Sequence, residues 1–191
     1  MPENSLLLVV RIKGQNEGVT TPQAQKILGG WGLVKINNSV FVRADADNLK
    51  KLLTVEDYVT FGYPTKKTVN DLVRKRGFLK KEGKKLPITD NVLIEELLGC
   101  DDNGPHGCIC IEDVIDTVWK CKNEELVTIF NEINKVLWPI QLGSLKETIA
   151  EANLSHEATG RDVRKKNTKT HKGGYIGFMG DQINEFVRPL I

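Results

Sequence analysis

Nine cations fall within the twenty residues from Lys66 to Lys85: Lys66, Lys67, Arg74, Lys75, Arg76, Lys80, Lys81, Lys84 and Lys85, against Asp71 and Glu82 alone. A second run, residues 161–172, holds Arg161, Arg164, Lys165, Lys166, Lys169 and Lys172 against Asp162. The runs carry +7 and +5 on a chain whose total is +2, so the other 159 residues carry −10. Charge runs are commonly solvated faces, but two of them on an otherwise acidic chain are the footprint of a polyanion contact. If about eight of these side chains neutralise phosphates, counterion release predicts a log–log salt slope of roughly −6 to −7. Such contacts position a protein and read backbone shape rather than base sequence. Tyr63, Phe78 and Tyr175 lie among the cations, where an aromatic ring can stack on an unpaired base. Burial is the plainer account, and for Phe78, just past a predicted helix end, it is favoured.

Other chemistry has weaker support. Cys100, Cys108, Cys110 and Cys121 with His106 lack the paired C-x-x-C knuckles that set two thiolates on one zinc ion. Reduced structural cysteines fit the spacing better, so no metal is expected. The "GGWG" at Gly29–Gly32 follows a predicted helix instead of joining a strand to one. It therefore reads as a helix stop, not a phosphate cradle. No nucleophile elbow or H-E-x-x-H pattern is present, and His106, His156 and His171 sit in loop-like surroundings, so no catalytic residue is assigned.

The elements that must position the cations begin with a strand at Leu6–Lys13. Thr21 caps a helix with Pro22 at its first position and Gly29 as its stop. Ser39–Arg43 is a second strand, and Asp45 or Asp47 caps a helix whose apolar face is Ala46, Leu49, Leu52 and Leu53. Tyr58–Phe61 is a third strand. The pattern is βαβαβ, a small sheet with helices on one face. Thr68 and Asp71 form a capping-box signature for a helix that buries Val69, Leu72 and Val73 and ends at Gly77. Arg74–Arg76 fall in its last turn, where the helix dipole favours cations by only a few tenths of a kcal/mol.

Beyond a polar stretch from Phe78 to Lys85, which RNA is expected to order, Thr89 or Asp90 caps a helix carrying Val92, Leu93, Leu97 and Leu98. Cys108–Ile111 reads as a short strand, Glu112–Trp119 and Glu124–Val136 as helices, and Ser144 with Glu147 as the start of another. Residues 156–180 have little apolar periodicity and cannot build a core, so they are expected to be disordered alone or ordered by a partner. The longest apolar run, Leu6–Val10, is far short of the roughly 20 residues that span a bilayer. It lacks signal-peptide flanks, so a mature intracellular protein is expected.

"FGYPTKKTVNDLVRKRGF", "LPITDNVLIEELLG", "GCICIEDVIDTVW", "VLWPIQLGS" and the closing "KGG…GDQIN", with "LLLVVRIKG" as first strand, resemble the large-subunit ribosomal protein family called L-thirty in bacteria and L-seven in eukaryotes. The matches run in order from Leu6 to Phe186, and the block from Gly62 to Gly99 looks eukaryotic. The resemblance implies an α+β protein with a ferredoxin-like βαβαβ core over residues 1–62. It further implies a helical extension over 63–155 and a basic, irregular, glycine-containing tail with a terminal helix over 156–191. It implies a structural constituent of the large ribosomal subunit that supports translation, with no enzyme activity and no cofactor. The partners would be large-subunit ribosomal RNA and neighbouring ribosomal proteins, without membrane or DNA. By position, Gly62–Phe78 and the pair Gly173 and Gly174 are where the family approaches RNA.

Three departures stand out. Eukaryotic members commonly begin with a long basic helical arm, whereas Met1 here lies five residues before the first strand, which suggests a trimmed ribosome. The family's polar stretch after the paired glycines is replaced by "YIGFM", Tyr175–Met179, and Leu145–Arg161 reads as extra sequence. A nucleolar assembly factor of the same fold is the nearest alternative to a mature cytoplasmic ribosomal protein assembled in the nucleolus. A metal or small-molecule module built on the cysteines is the alternative from another class.

Overall fold

The first strand, β1 (Leu6–Arg11), is buried along its whole length, because it lies at the centre of a sheet covered on both faces. The computed structural model describes residues 4–14, 21–99, 108–143, 169–170 and 174–191. In it β1 pairs antiparallel with β2 (Asn38–Arg43) on one side and with β3 (Val59–Gly62) on the other. Successive side chains of a strand point to opposite faces. Leu6, Leu8 and Val10, with Ile12 beyond them, therefore enter one core, while Leu7 and Val9 enter the other. Arg11 is buried too, at 1% exposure. Its guanidinium donates to the carbonyls of Leu33 at 2.6 Å, Val34 at 2.9 Å and Lys13 at 2.9 Å. Burial lowers its pKa, and the three carbonyls are what make the desolvated cation tolerable.

One face of the sheet is covered by α1 (Pro22–Gly30) and α2 (Ala46–Val55). The Thr21 hydroxyl caps α1 as expected, accepting from the Ala24 N–H at 3.3 Å. The buried face of α2 is Leu52 and Val55, with Leu49 half-covered. Leu53 is 71% exposed and Ala46 is also outside the core, so the expected stripe is corrected by about one residue's rotation.

The opposite face is covered by the extension: α3 (Lys66–Arg76), α4 (Asn91–Leu98), α5 (Ile111–Trp119) and α6 (Val127–Val136). Helices therefore lie on both faces once the extension is counted. The extension and the tail complete the sheet: β6 (Ile140–Gln141) of the extension adds to β2, and β7 (Gly177–Gly180) of the tail adds to β3 in parallel. The strand order is β6-β2-β1-β3-β7. The α+β class and the ferredoxin-like βαβαβ core are as the sequence implied.

Three expectations fail. Residues 174–180 are not without a place in the core: Tyr175, Ile176 and Met179 are buried, and α7 (Ile183–Val187) follows with Ile183, Phe186 and Val187 inside. Cys108–Ile111 is no strand, because Asp113 Oδ2 accepts from the N–H groups of Ile109 at 3.1 Å and Cys110 at 3.2 Å, which winds the chain into α5. Thr65 rather than Thr68 caps α3, accepting from the Thr68 N–H at 3.2 Å. The helix expected after Ser144 and most of the second basic run lie outside the described residues.

Candidate nucleic-acid interface

Val69, Leu72 and Val73 bury one stripe of α3 and leave Arg74, Lys75 and Arg76 in its last turn. The Gly77 N–H then donates to the Val73 carbonyl at 3.0 Å, and the chain runs directly into a hairpin. Its strands are β4 (Phe78–Lys81) and β5 (Lys84–Pro87), so the polar stretch expected to await RNA is already ordered by its own backbone pairing. Glu82 and Gly83 make the two-residue turn with φ of 51° and 77°, the left-handed pair that matches strand twist in a tight hairpin. The register places Lys80 opposite Lys85 and Lys81 opposite Lys84. Like charges directly opposite one another weaken a sheet pair, a cost that the contacts within the chain offset only in part.

The nine cations of this run divide by what they touch. Lys66 pairs with Asp116 at 2.6 Å, Arg74 with Glu112, and Lys81 with Glu96 at 2.6 Å. Arg76 donates to the Ile191 carbonyl at 2.9 Å and the Gln141 carbonyl at 3.2 Å, fixing the helix end to the sheet edge. Lys67, Lys75, Lys80, Lys84 and Lys85 are exposed and have no carboxylate partner among the described residues. Lys85 Nζ lies 3.9 Å from the centre of the Phe78 ring, and both line an open concavity of about 580 Å³ with Lys75, Arg76 and Gln141. A cation over a ring face is held by the ring's quadrupole.

The carboxylates facing α3 are tuned by these contacts. Hydrogen bonds from Lys66 and Lys120 hold Asp116 below its usual range, and the bond from Arg74 does the same for Glu112. Both acids sit on α5, so the α3–α5 junction is an ionic clamp.

In the second run only Lys169 is described. It pairs with Asp57 at 3.1 Å, and that bond raises its pKa. The buried Gly174 donates its N–H to the Lys169 carbonyl at 3.2 Å. Arg161, Arg164, Lys165, Lys166, Lys172 and Gly173 lie outside the described residues. The two runs are thus not brought together by anything described.

Of the three aromatics, Tyr175 is buried at 1% exposure against Phe186, with ring centres 5.1 Å apart, which removes it as a base platform. Tyr63 packs edge-on to Phe178 at 5.5 Å, and Phe78 is half-buried. Cys108 and Cys121 are buried, and burial pushes the Cys121 thiol up to about 11. No group of three His, Cys, Asp or Glu able to hold a metal occurs among the described residues, and Cys100 and His106 lie outside them. No helix among the described residues is long and apolar enough to cross a membrane.

Two features escaped the sequence reading. The hairpin was signalled by Glu82-Gly83 between two lysine pairs, a turn dipeptide masked by its charge. Asn184, which bonds the first turn of α3 at Thr65 and Thr68, has no sequence signature, because its partners lie more than a hundred residues away.

The fold and this surface define a class: an α+β protein with a ferredoxin-like sheet that presents a lysine hairpin at the end of a basic helix. The family model described as ribosomal protein L30p/L7e matches residues 7–59. Large ribosomal subunit protein uL30 of Caenorhabditis elegans is 34% identical over 192 residues, covering 99% of this chain and 67% of its own. Large ribosomal subunit protein uL30A of Schizosaccharomyces pombe is 34% identical over 189 residues, covering 99% and 66%. That of Dictyostelium discoideum is 36% identical over 141 residues, covering 74% and 52%. The chain belongs to the ribosomal protein L30p/L7e family, and it spans about two thirds of the length of the first two relatives and about half of the third.

Proposed function

We propose that this protein is a structural constituent of the large ribosomal subunit, held on ribosomal RNA by the end of α3 and the β4–β5 hairpin. The observation that supports this most is the facing of Lys80 with Lys85 and of Lys81 with Lys84, an arrangement that weakens the hairpin and that Glu96 relieves at Lys81 alone, leaving Lys80, Lys84 and Lys85 for an anion. Lys67, Lys75, Lys80, Lys84 and Lys85 supply phosphate contacts, and Lys85 beside Phe78 offers an aromatic and a cation at one point. Arg76 acts differently, tying the helix end to the sheet edge so that the lysines share one frame. In the second run, Arg161, Arg164, Lys165, Lys166, Lys169 and Lys172, with Gly173 and Gly174, extend the contact. The partners are large-subunit ribosomal RNA and neighbouring ribosomal proteins, the site of action is the cytoplasmic ribosome, and assembly occurs in the nucleolus of a eukaryotic cell.

Sedimentation of cell extracts on sucrose gradients tests this reading. A structural constituent co-sediments with polysomes and stays with the large subunit after they are dissociated. Confinement to precursor particles overturns the reading in favour of an assembly factor of the same fold.

A further inference from the structure

An open groove of about 700 Å³ runs along β2, between the end of α1 and α6; it adjoins the hairpin concavity at Gln141, which lines both, and Lys80 of the hairpin reaches it. Its walls include Trp31 and Trp138, two of the three tryptophans of the chain. Its cations are Lys35, Arg43, Lys80 and Lys135, and no aspartate or glutamate lines it. Outside the two basic runs the chain carries −10, yet the groove draws three cations from that acidic part and Lys80 from the first run, with no acid in its lining. Arg43 is paired with Asp45 at 3.2 Å, whereas Lys35, Lys80 and Lys135 have no carboxylate partner among the described residues.

The glycines of the "GGWG" turn divide here. Gly32 has φ +72°, and a Cβ on it would lie 2.5 Å from Pro139, so it is glycine for the fold. Gly29 and Gly30, in the last turn of α1, have no positive φ, and a Cβ on either meets nothing within 4 Å. A glycine inside a helix costs roughly 1 kcal/mol relative to alanine, less in a last turn, and among the described residues neither a positive φ nor a close neighbour requires glycine at these two positions. What they leave is bare backbone at the groove wall, open to close approach by something else. The groove also holds polar groups already turned by the fold. Asn134 donates to the Phe41 carbonyl at 3.2 Å and Asn38 to the Gly32 carbonyl at 3.2 Å. Each keeps an Oδ1 acceptor with no partner among the described residues.

We propose that this groove takes an unpaired nucleotide of RNA, its base stacked on Trp31 or Trp138 over the bare turn of Gly29 and Gly30, and its phosphates met by Lys35, Lys80 and Lys135. Each part follows from general chemistry. Every base has a face that stacks on an aromatic side chain, and lysines along a groove track the backbone. Free amide oxygens and the carbonyl end of α1 suit the amino groups of a base edge, not its phosphate. A duplex cannot present a base in this way without unstacking it. Because Lys80 belongs both to the hairpin and to the groove, this inference rests on the RNA-binding reading above.

The test compares a labelled single-stranded oligoadenylate with an RNA duplex of equal length, binding the full chain at low salt by fluorescence anisotropy. Gly30→Leu fills the groove with an uncharged side chain and improves helix propensity, so the variant folds at least as well as the parent. It should bind the single strand about ten-fold more weakly, the loss of one stacked base, with duplex affinity within two-fold of the parent. In a Trp119→Phe background the single strand should also quench the fluorescence of Trp31 and Trp138, and the duplex should not. Unchanged single-strand affinity in Gly30→Leu overturns the proposal and leaves the groove to a protein segment. An equal loss for both RNAs overturns it as well. Failure of the underlying RNA reading is distinguishable, since the parent then binds neither RNA.

Discussion

Asn184 Oδ1 accepts a hydrogen bond from the Thr68 hydroxyl at 2.7 Å, joining residues 116 positions apart. The same oxygen accepts from the Thr65 N–H at 2.8 Å, and Asn184 Nδ2 donates to the carbonyls of Tyr63 at 2.9 Å and Asp181 at 2.8 Å. One amide from α7 thus holds the start of α3, the helix whose other end carries Arg74–Arg76. Removing it takes four hydrogen bonds from this junction, although the Thr68 hydroxyl keeps Thr65 Oγ1 at 2.9 Å as a partner and the Thr65 N–H is open to water, so the cost is about 1 kcal/mol. Asn184→Ala should lower the urea midpoint accordingly with an unchanged m-value. A change within 0.5 kcal/mol would show that α7 does not hold α3.

Gly62 ends β3 where β7 joins the sheet. A Cβ there would lie 2.2 Å from the Gly180 carbonyl oxygen and 2.9 Å from Ile183 Cβ, and the Gly180 carbonyl is engaged by the Tyr63 N–H at 3.0 Å. Both obstacles belong to backbone or to a branched, buried side chain, so neither can rotate away. Gly62→Ala should destabilise by about 3 kcal/mol, whereas Gly30→Ala should be neutral or stabilising. Thermal unfolding of the two variants beside the parent provides the comparison.

These two residues also mark where reading the sequence stops. The start of α1 at Thr21, the buried stripe of α3 and the strand at Leu6 were legible because capping and periodicity act over a few residues. The role of Gly62 and the edge strand at Gly177–Gly180 depended on a parallel pairing across more than a hundred residues, which no local pattern encodes. The cations themselves were legible as charge. Which of them are free was not, because the acids that engage Lys66, Arg74 and Lys81 sit on α5 and α4, brought close only by packing.

Glu82 occupies a left-handed turn position with φ 51°, a conformation that asparagine or glycine adopts at less cost. Glu82→Asn should stabilise the hairpin by several tenths of a kcal/mol. It also removes the one acid between the lysine pairs, so affinity for ribosomal RNA should rise while the salt slope stays unchanged. Weaker RNA binding by Glu82→Asn would count against the hairpin as a contact.

The clamp between α3 and α5 should show in acid. Hydrogen bonds from Arg74 to Glu112, and from Lys66 and Lys120 to Asp116, hold both acids below their ordinary values of 4.5 and 3.8. A depressed pKa contributes stability that is fully present above the unfolded value and is lost as pH falls through the folded one. The contribution is small because both acids are largely exposed. Glu112→Gln with Asp116→Asn should lower Tm slightly at pH 7 and flatten its decline below about pH 4. An identical acid limb in parent and variant would show that the clamp does not contribute.

The salt dependence of RNA binding separates free cations from engaged ones. Lys67, Lys75, Lys80, Lys84 and Lys85 have no carboxylate partner among the described residues, and five phosphate contacts correspond to about −3.5 to −4.5 in the log–log slope. Replacing all five with glutamine should flatten the slope by that amount, whatever the second basic run adds. Replacing Lys66, Arg74 and Lys81 should change it less. Each of these already neutralises Asp116, Glu112 or Glu96, and moving it to a phosphate would leave that acid uncompensated. Filter-binding titrations with large-subunit RNA from about 50 to 200 mM salt read both slopes directly. If the paired set flattens the slope as much as the unpaired set, the ion pairs open on binding, and all the cations of the run except Arg76 count as contacts.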